Sequence, residues 1–136
     1  MKSQALVTLA DSTYFDLLLE LISSIKQFEQ SKNIAICVLD AGLRDDQIQN
    51  LNNKVEIIKK ANWDIEVPKF KVLGKEWLKS QVSRAFLPDY FPDFKKYLWI
   101  DCDAWVNTWE CVDLYFKACE KEKLELPKRL EQDIKF

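Results

Sequence analysis

The sequence predicts a three-layer α/β domain of Rossmann type, with an open and mainly parallel sheet of about four strands. A length of 136 residues suits a single domain, and no repeat, linker or low-complexity segment divides the chain. Short apolar runs alternate with amphipathic stretches. Strands that are apolar throughout and separated by helices are typical of a parallel sheet covered on both faces. Right-handed crossovers then bring the carboxyl ends of all strands to one edge.

Four apolar runs predict the strands, because each is too short for a helix and is rich in aliphatic or aromatic residues. They lie at residues 5–10, 34–39, 55–58 and 97–100.

Helical spacing of apolar residues, or polar stretches between strands, predicts helices at residues 14–32, 44–53, 75–87 and 109–122. We expect Pro88 to close the third helix, because the residue before a proline avoids helical geometry. Residues 61–73 are expected to be irregular.

The composition excludes several classes of function. Lys and Arg total 20 against 22 Asp and Glu, so the net charge of -2 argues against a nucleic-acid binder. The absence of histidine excludes His-based triads and His-ligated zinc sites. The two glycines, Gly42 and Gly74, cannot form a Gly-rich phosphate loop or a dinucleotide fingerprint.

The cysteines and the N-terminal residues predict a cytoplasmic protein with no transmembrane segment. No signal peptide is recognised in the first residues, and no apolar stretch approaches the roughly 18 residues of a membrane span. Cys37, Cys102, Cys111 and Cys119 match no metal or redox spacing, so we expect small buried thiols.

Acidic residues stand where the predicted strands end. They are Asp11, Asp40, Asp101 and Asp103. Ligands of open α/β sheets bind beyond the carboxyl ends of the strands, and four carboxylates there would need a cation or a basic side chain among them. Each aspartate could also be an ordinary turn or helix-cap residue, and this alternative stays open.

Asp101 and Asp103 give the sharper signal. Residues i and i+2 of a strand point to the same side, about 6.5–7 Å apart, and a bend at the strand end could bring both carboxylates to one divalent cation. Oxygen ligands favour Mg²⁺ or Mn²⁺. Cys102 should point to the opposite face and is not counted as a ligand.

The five tryptophans have two possible uses. They are Trp63, Trp77, Trp99, Trp105 and Trp109. Core packing is the expected role for most of them, whereas stacking on a sugar ring is the alternative. If some of these rings were exposed, homo-oligomerisation could hide them.

Four segments together resemble a known family. They are residues 7–14, 38–43, 83–88 and 97–106. In order and spacing they are similar to the GT-A fold nucleotide-sugar glycosyltransferases of family eight, the galactosyltransferase-like group. The resemblance covers residues 4–119.

The resemblance implies a donor site for a nucleotide sugar, with a UDP-sugar favoured, and transfer to an unknown acceptor. The implied donor-binding residues are Ala10, Asp11, Thr13, Tyr14, Arg84 and Asp101. Asp101 and Asp103 would hold Mn²⁺ or Mg²⁺, and Asp11 would contact the nucleobase. Thr13 stands where the family often has Asn. Arg84 would bind phosphate or sugar hydroxyls, although a surface ion pair with Asp89 is the alternative.

The resemblance also implies a division of the chain. Residues 1–119 correspond to the donor-binding half of the family's domain, and residues 120–136 form a charged tail, helical or partly disordered. The family's acceptor half and the His that completes its metal shell have no counterpart here, so the chain could bind a donor without transferase activity. No catalytic residue is assigned.

Two other functions remain open at this stage. One is a Rossmann-like interaction module without a ligand or an activity. The other is a haloacid-dehalogenase-like phosphatase, which also places Asp-x-Asp after an apolar strand. That class has the motif on its first strand, whereas nearly a hundred residues precede it here.

Overall fold

A computed structural model describes residues 1–120 and contains a four-stranded parallel sheet, in the spatial order β3-β2-β1-β4. The strands are β1 (Gln4–Ala10), β2 (Ala35–Asp40), β3 (Ile57–Lys60) and β4 (Lys96–Trp99). All three neighbouring pairs run parallel. The predicted α/β fold class is therefore confirmed.

Six helices and three short 3₁₀ segments connect these strands within residues 1–120. The helices are α1 (Phe15–Lys26), α2 (Asp45–Asn52), α3 (Lys69–Val72), α4 (Lys79–Ser83), α5 (Leu87–Tyr90) and α6 (Trp109–Glu120). The 3₁₀ segments are Glu29–Asn33, Glu76–Leu78 and Arg84–Phe86.

The sheet separates two hydrophobic cores, because successive side chains of a strand point to opposite faces. Leu6 and Ala10 of β1 pack in the first core with apolar residues of α1 and α6. Val7 and Leu9 pack in the second core, which Leu87 and Phe91 cover. The first face thus carries full helices, and the second carries the short elements between β3 and β4.

Two boundaries of the predicted elements differ from those in the structure, where tertiary contacts determine them. The first helix ends at Lys26 rather than near residue 32, and Phe28 turns extended, with φ −96° and ψ 131°. The Phe28 ring lies 5.7 Å from the ring of Trp109, centroid to centroid. The third strand begins at Ile57 rather than at residue 55, although the buried Val55 stays in the first core.

The prediction of one continuous helix over residues 75–87, closed by Pro88, was wrong. This stretch breaks into two 3₁₀ segments on either side of α4, and α5 then begins at Leu87. Leu87 adopts helical angles, φ −55° and ψ −40°, despite the proline that follows. Pro88 is tolerated in the first turn of α5, where a helix leaves its N–H groups without partners.

The last predicted helix begins at Trp109 as expected and is described as far as Glu120. Of the charged tail predicted at 120–136, Glu120 belongs to α6 and the rest lies outside the described residues. Within residues 1–120, no helix is both long enough and apolar enough to cross a membrane.

The expectation of four buried thiols holds for Cys37 alone. Cys102 is half-buried, and Cys111 and Cys119 are exposed on α6. The two exposed thiols lie on the solvent side of α6, whose buried residues are Trp109, Val112 and Phe116.

Candidate functional site

A cavity of about 320 Å³, which we call the first cavity, lies beyond the carboxyl ends of β1 and β4. Six of the seven residues predicted for the site line it: Ala10, Asp11, Tyr14, Arg84, Asp101 and Asp103. Thr13 does not line it. Residues from three separate parts of the chain thus meet at the sheet edge that the parallel topology predicts for a ligand.

The loop after β1 holds the Asp11 carboxylate in a fixed place. Asp11 Oδ1 accepts hydrogen bonds from the backbone N–H groups of Thr13, at 2.9 Å, and Tyr14, at 3.1 Å. The backbone N–H of Ser12 donates to the carbonyl of Gly42 at 3.1 Å. Gly42 has φ 137°, in the region that favours glycine. Asp11 therefore serves as a turn residue and leaves Oδ2 for a ligand.

Asp40 does not join the other aspartates in the first cavity. Its Oδ1 accepts the backbone N–H groups of Gly42, at 2.8 Å, and Leu43, at 2.6 Å. The turn alternative explains this residue, because Asp side chains favour such local bonds. The expected group of four carboxylates is reduced to three around the cavity.

Asp101 forms the centre of a small network with Arg84 and Trp99. Its Oδ1 accepts hydrogen bonds from Arg84 Nη2 at 2.8 Å and from Trp99 Nε1 at 2.7 Å. The guanidinium carbon of Arg84 lies 5.0 Å from the Trp99 ring centroid, within the range of a cation–π contact. Arg84 thus pairs with Asp101, not with Asp89 as the alternative proposed.

The chain bends directly after β4. The N–H of Ile100 still donates to the Val7 carbonyl at 3.0 Å, and the N–H of Ala104 then donates to the Asp101 carbonyl at 2.9 Å, closing a turn. Asp101 and Asp103 are both exposed and both line the first cavity. The bend expected at the strand end is present.

Cys102 lies between these aspartates and is also among the residues that line the first cavity. Its side chain packs against the first core. Burial, together with the nearby Asp103 carboxylate, raises the pKa of the Cys102 thiol to about 11. The thiol is therefore protonated at neutral pH.

The donor set suits a hard divalent cation bound together with a substrate. Within residues 1–120, no three His, Cys, Asp or Glu side chains come together as a closed metal cage. Asp101 and Asp103 offer carboxylate oxygens at an open cavity mouth. Mg²⁺ and similar ions often bind through one or two carboxylates plus substrate phosphates and water, so the pair fits an ion of this kind.

Besides Leu9 and Cys102, four residues of the cavity wall were not predicted as site residues: Trp77, Ser80, Gln81 and Trp99. The first three precede Arg84 at the spacing of one helix face, which is the signal that could have found them. Trp77 and Trp105 are 47% and 57% exposed, and of the five tryptophans Trp109 alone is fully buried. The expectation that most tryptophans pack in the core was wrong.

The family model described as Glycosyl transferase family 8 matches residues 5–115, a range that includes every residue that lines the first cavity and, except for Gln4, all four strands. A search of the curated proteins found no match. Because the family model covers most of the sequence, the chain belongs to glycosyl transferase family 8, and its parallel α/β sheet agrees with a GT-A type domain.

Proposed function

We propose that residues 1–119 bind a nucleoside diphosphate sugar, with UDP as the nucleotide, for glycosyl transfer to an acceptor. Mn²⁺ or Mg²⁺ would be held by Asp101 and Asp103. The observation that carries this proposal is a single cavity whose wall brings together Asp11, Tyr14, Arg84, Asp101 and Asp103.

The cavity wall suits the parts of such a donor. When bound, the metal supplies Lewis-acid stabilisation of the charge that grows on the leaving diphosphate. Arg84 presents a forked guanidinium that can donate to phosphate oxygens. Its present partner Asp101 is 58% exposed, so exchanging that ion pair for phosphate contacts costs little.

The part of the cavity wall that follows β1 suits a nucleobase. The two backbone N–H groups bound to Asp11 Oδ1 fix the carboxylate, so Oδ2 can accept a ring N–H of uracil without further ordering. The Tyr14 ring is 44% exposed beside it and offers an aromatic face for stacking. Thr13 contributes its backbone N–H to this turn, and no side-chain contact with the donor is assigned to it.

Two alternatives are weaker. Membership of family 8 favours glycosyl transfer over the haloacid-dehalogenase-like phosphatase. Ligand binding distinguishes the proposal from a non-catalytic interaction module, because only the proposal requires a bound ligand.

The test is calorimetric titration of the chain with UDP and UDP-glucose, with Mn²⁺ present or removed by EDTA. We expect binding that depends on Mn²⁺ and a Kd that rises at least about tenfold in Asp103→Asn, because one metal ligand loses its charge. Asp113→Asn, an exposed α6 position outside the first cavity, is the matched control and should bind as the wild type does.

Three results would contradict the proposal. UDP binding that is equal with and without EDTA, or unchanged in Asp103→Asn, would remove the metal role. No binding of either nucleotide would favour the interaction module.

A further inference from the structure

An exposed segment between β3 and α4 carries large apolar and basic side chains together. It spans residues 68–75, and we call it the basic turn. Phe70 is 82% exposed and Leu73 is 84% exposed, and the three lysines of the segment are exposed as well. Helix α3, which belongs to the basic turn, buries none of its residues. Packing within the fold therefore does not account for these apolar side chains.

The backbone of the basic turn is ordered by its own hydrogen bonds. The N–H of Leu73 donates to the Lys69 carbonyl at 3.0 Å, and the N–H of Lys75 donates to the Val72 carbonyl at 2.9 Å. Gly74, with φ 72°, takes the position where a type II turn needs a positive φ. These bonds keep the segment in shape while its side chains stay in the solvent.

The charge of the basic turn is opposite in sign to that of the whole chain. Residues 67–75 include three lysines and no Asp or Glu, whereas the chain has a net charge of -2. The lysines are Lys69, Lys71 and Lys75. Within residues 1–120, none of them forms an ion pair with a carboxylate. Their ammonium groups are therefore available to an anionic partner.

We propose that the basic turn binds the surface of an anionic lipid bilayer. Phe70 and Leu73 enter the boundary between headgroups and acyl chains, and the lysines contact the lipid phosphates. Apolar side chains in the interface and lysines at headgroup level are the two attractions that attach a protein to such a surface. The long apolar stem of lysine lets its ammonium reach the headgroups beside an inserted side chain. This proposal does not depend on the proposed donor function.

A bilayer suits this surface better than an acidic protein or a soluble polyanion does. A protein would need a pocket shaped to each protruding side chain, whereas a bilayer accepts apolar side chains of any shape. A soluble polyanion would pair with the lysines and leave Phe70 and Leu73 in water. The apolar pair therefore distinguishes the bilayer from other anionic partners.

The exposed apolar residues near α6 lack this positive charge. Leu114 and Trp105 are exposed, but Asp113 directly precedes the first and Asp103 stands two residues before the second. An anionic surface repels these carboxylates. The basic turn, and not α6, is therefore the part of the chain that faces the bilayer.

The residues that follow the basic turn belong to the wall of the first cavity. Trp77 lines this cavity and lies two residues after Lys75, a distance of at most about 7 Å along the chain. Ser80 and Gln81 line the same cavity. Attachment at the basic turn would thus hold the first cavity close to the membrane surface.

Flotation of the full chain with lipid vesicles in a density gradient tests the proposal. One set of vesicles is phosphatidylcholine alone, and the other contains phosphatidylglycerol as the anionic lipid. We expect the chain to float with the anionic vesicles and not with the neutral ones. High salt should weaken the binding, because it screens the attraction between lysines and headgroups.

Two double variants separate the charges from the apolar side chains. Lys69→Gln with Lys71→Gln should raise the Kd for anionic vesicles at least about tenfold, since each lysine near the surface contributes about a factor of five. Phe70→Ser with Leu73→Ser should raise it at least about tenfold as well, because the inserted apolar area is lost. Phe70→Leu keeps an apolar side chain and should change the Kd by less than about threefold.

Matched controls lie on α6. Lys117→Gln removes an exposed lysine and Leu114→Ser removes an exposed leucine, and both should bind vesicles as the wild type does. All residues changed in the basic turn are exposed, so we expect these variants to fold. Wild-type circular dichroism and thermal unfolding check this.

Four outcomes would overturn the proposal. They are no flotation with anionic vesicles, equal flotation with neutral vesicles, binding that both double variants leave unchanged, and binding that the lysine variant weakens but the serine variant does not. The last would mean that the partner is a soluble polyanion or an acidic protein. Failure of the donor proposal is distinguishable, because it appears in UDP calorimetry without vesicles and leaves flotation unchanged.

Discussion

Trp99 contacts both members of the Arg84–Asp101 ion pair in the wall of the first cavity. Its indole N–H donates to Asp101 Oδ1, and its ring lies under the Arg84 guanidinium. The indole N–H thereby orients Asp101, a proposed metal ligand, and the ring face orients Arg84, which is proposed to bind phosphate. We regard Trp99 as a positioning residue for donor binding.

Trp99→Phe tests the edge contact, because phenylalanine keeps an aromatic face and lacks the N–H donor. We expect the Kd for UDP with Mn²⁺ to rise about threefold to tenfold, the effect of one hydrogen bond to a charged but exposed group. Trp99→Leu removes the face as well and should weaken binding further. Calorimetry measures both, and Trp77→Phe is the control within the same cavity.

Equal affinities for wild type and Trp99→Phe would show that the Asp101 carboxylate needs no help from the indole. Equal effects of the phenylalanine and leucine variants would show that the contact with Arg84 adds nothing.

At the scale of elements, α1 supports the segment that carries the aspartates. Ser24 is buried on α1, and its Oγ donates to the Leu21 carbonyl at 2.7 Å and accepts the backbone N–H of Val106 at 3.0 Å. Gln27 Nε2 donates to the Val106 carbonyl at 3.2 Å. The chain after Asp103 is therefore fastened to a helix of the first core.

Ser24→Ala should lower the free energy of unfolding by about 1–3 kcal/mol, because the buried N–H of Val106 loses its partner. Urea denaturation measures this loss, and Ser23→Ala, one residue earlier and exposed, controls for the higher helix propensity of alanine. If both variants have the same stability, the bond to Val106 contributes nothing measurable.

The sequence predicts elements well where a local pattern determines them. The apolar runs of β1, β2 and β4 appear as strands within one or two residues of their predicted ends, since burial on both faces needs continuous hydrophobicity. The breaks in residues 75–87 were not predictable, because short 3₁₀ and α segments keep nearly the same spacing as one helix. Packing of Leu87 and Phe91 on the second face of the sheet accompanies the break.

For the candidate site too, the sequence predicts what local pattern determines and misses what depends on tertiary contacts. Asp101 and Asp103 could be identified because they follow an apolar strand, and the edge at which they lie follows from parallel topology. The contact between Arg84 and Asp101 joins residues 17 positions apart, and only the assembled sheet edge brings them together. Asp11 and Asp40 end neighbouring strands in similar turns, so local sequence could not show that only Asp11 reaches the cavity.

At the scale of the whole molecule, a buried thiol on the central strand β2 makes the stability of the fold depend on pH. Cys37 is fully buried on β2 among the residues of the second core. Burial, with a smaller effect from Glu56, raises the pKa of its thiol from 9.0 to about 12. The folded chain therefore keeps this proton at pH values where the unfolded chain has lost it.

The free energy of unfolding should consequently fall as the pH rises from 9 towards about 12, because the unfolded state binds fewer protons there than the folded state. This thiol contributes at most about 1.4 kcal/mol per pH unit to that fall, and almost nothing below about pH 8, where the thiol is protonated in both states. Cys37→Ala removes the group, so its unfolding free energy should decline less steeply in urea titrations within that window. Cys111→Ala, which changes an exposed thiol, should keep the wild-type slope. Identical slopes for Cys37→Ala and wild type would mean that the Cys37 thiol titrates alike in the folded and unfolded chains.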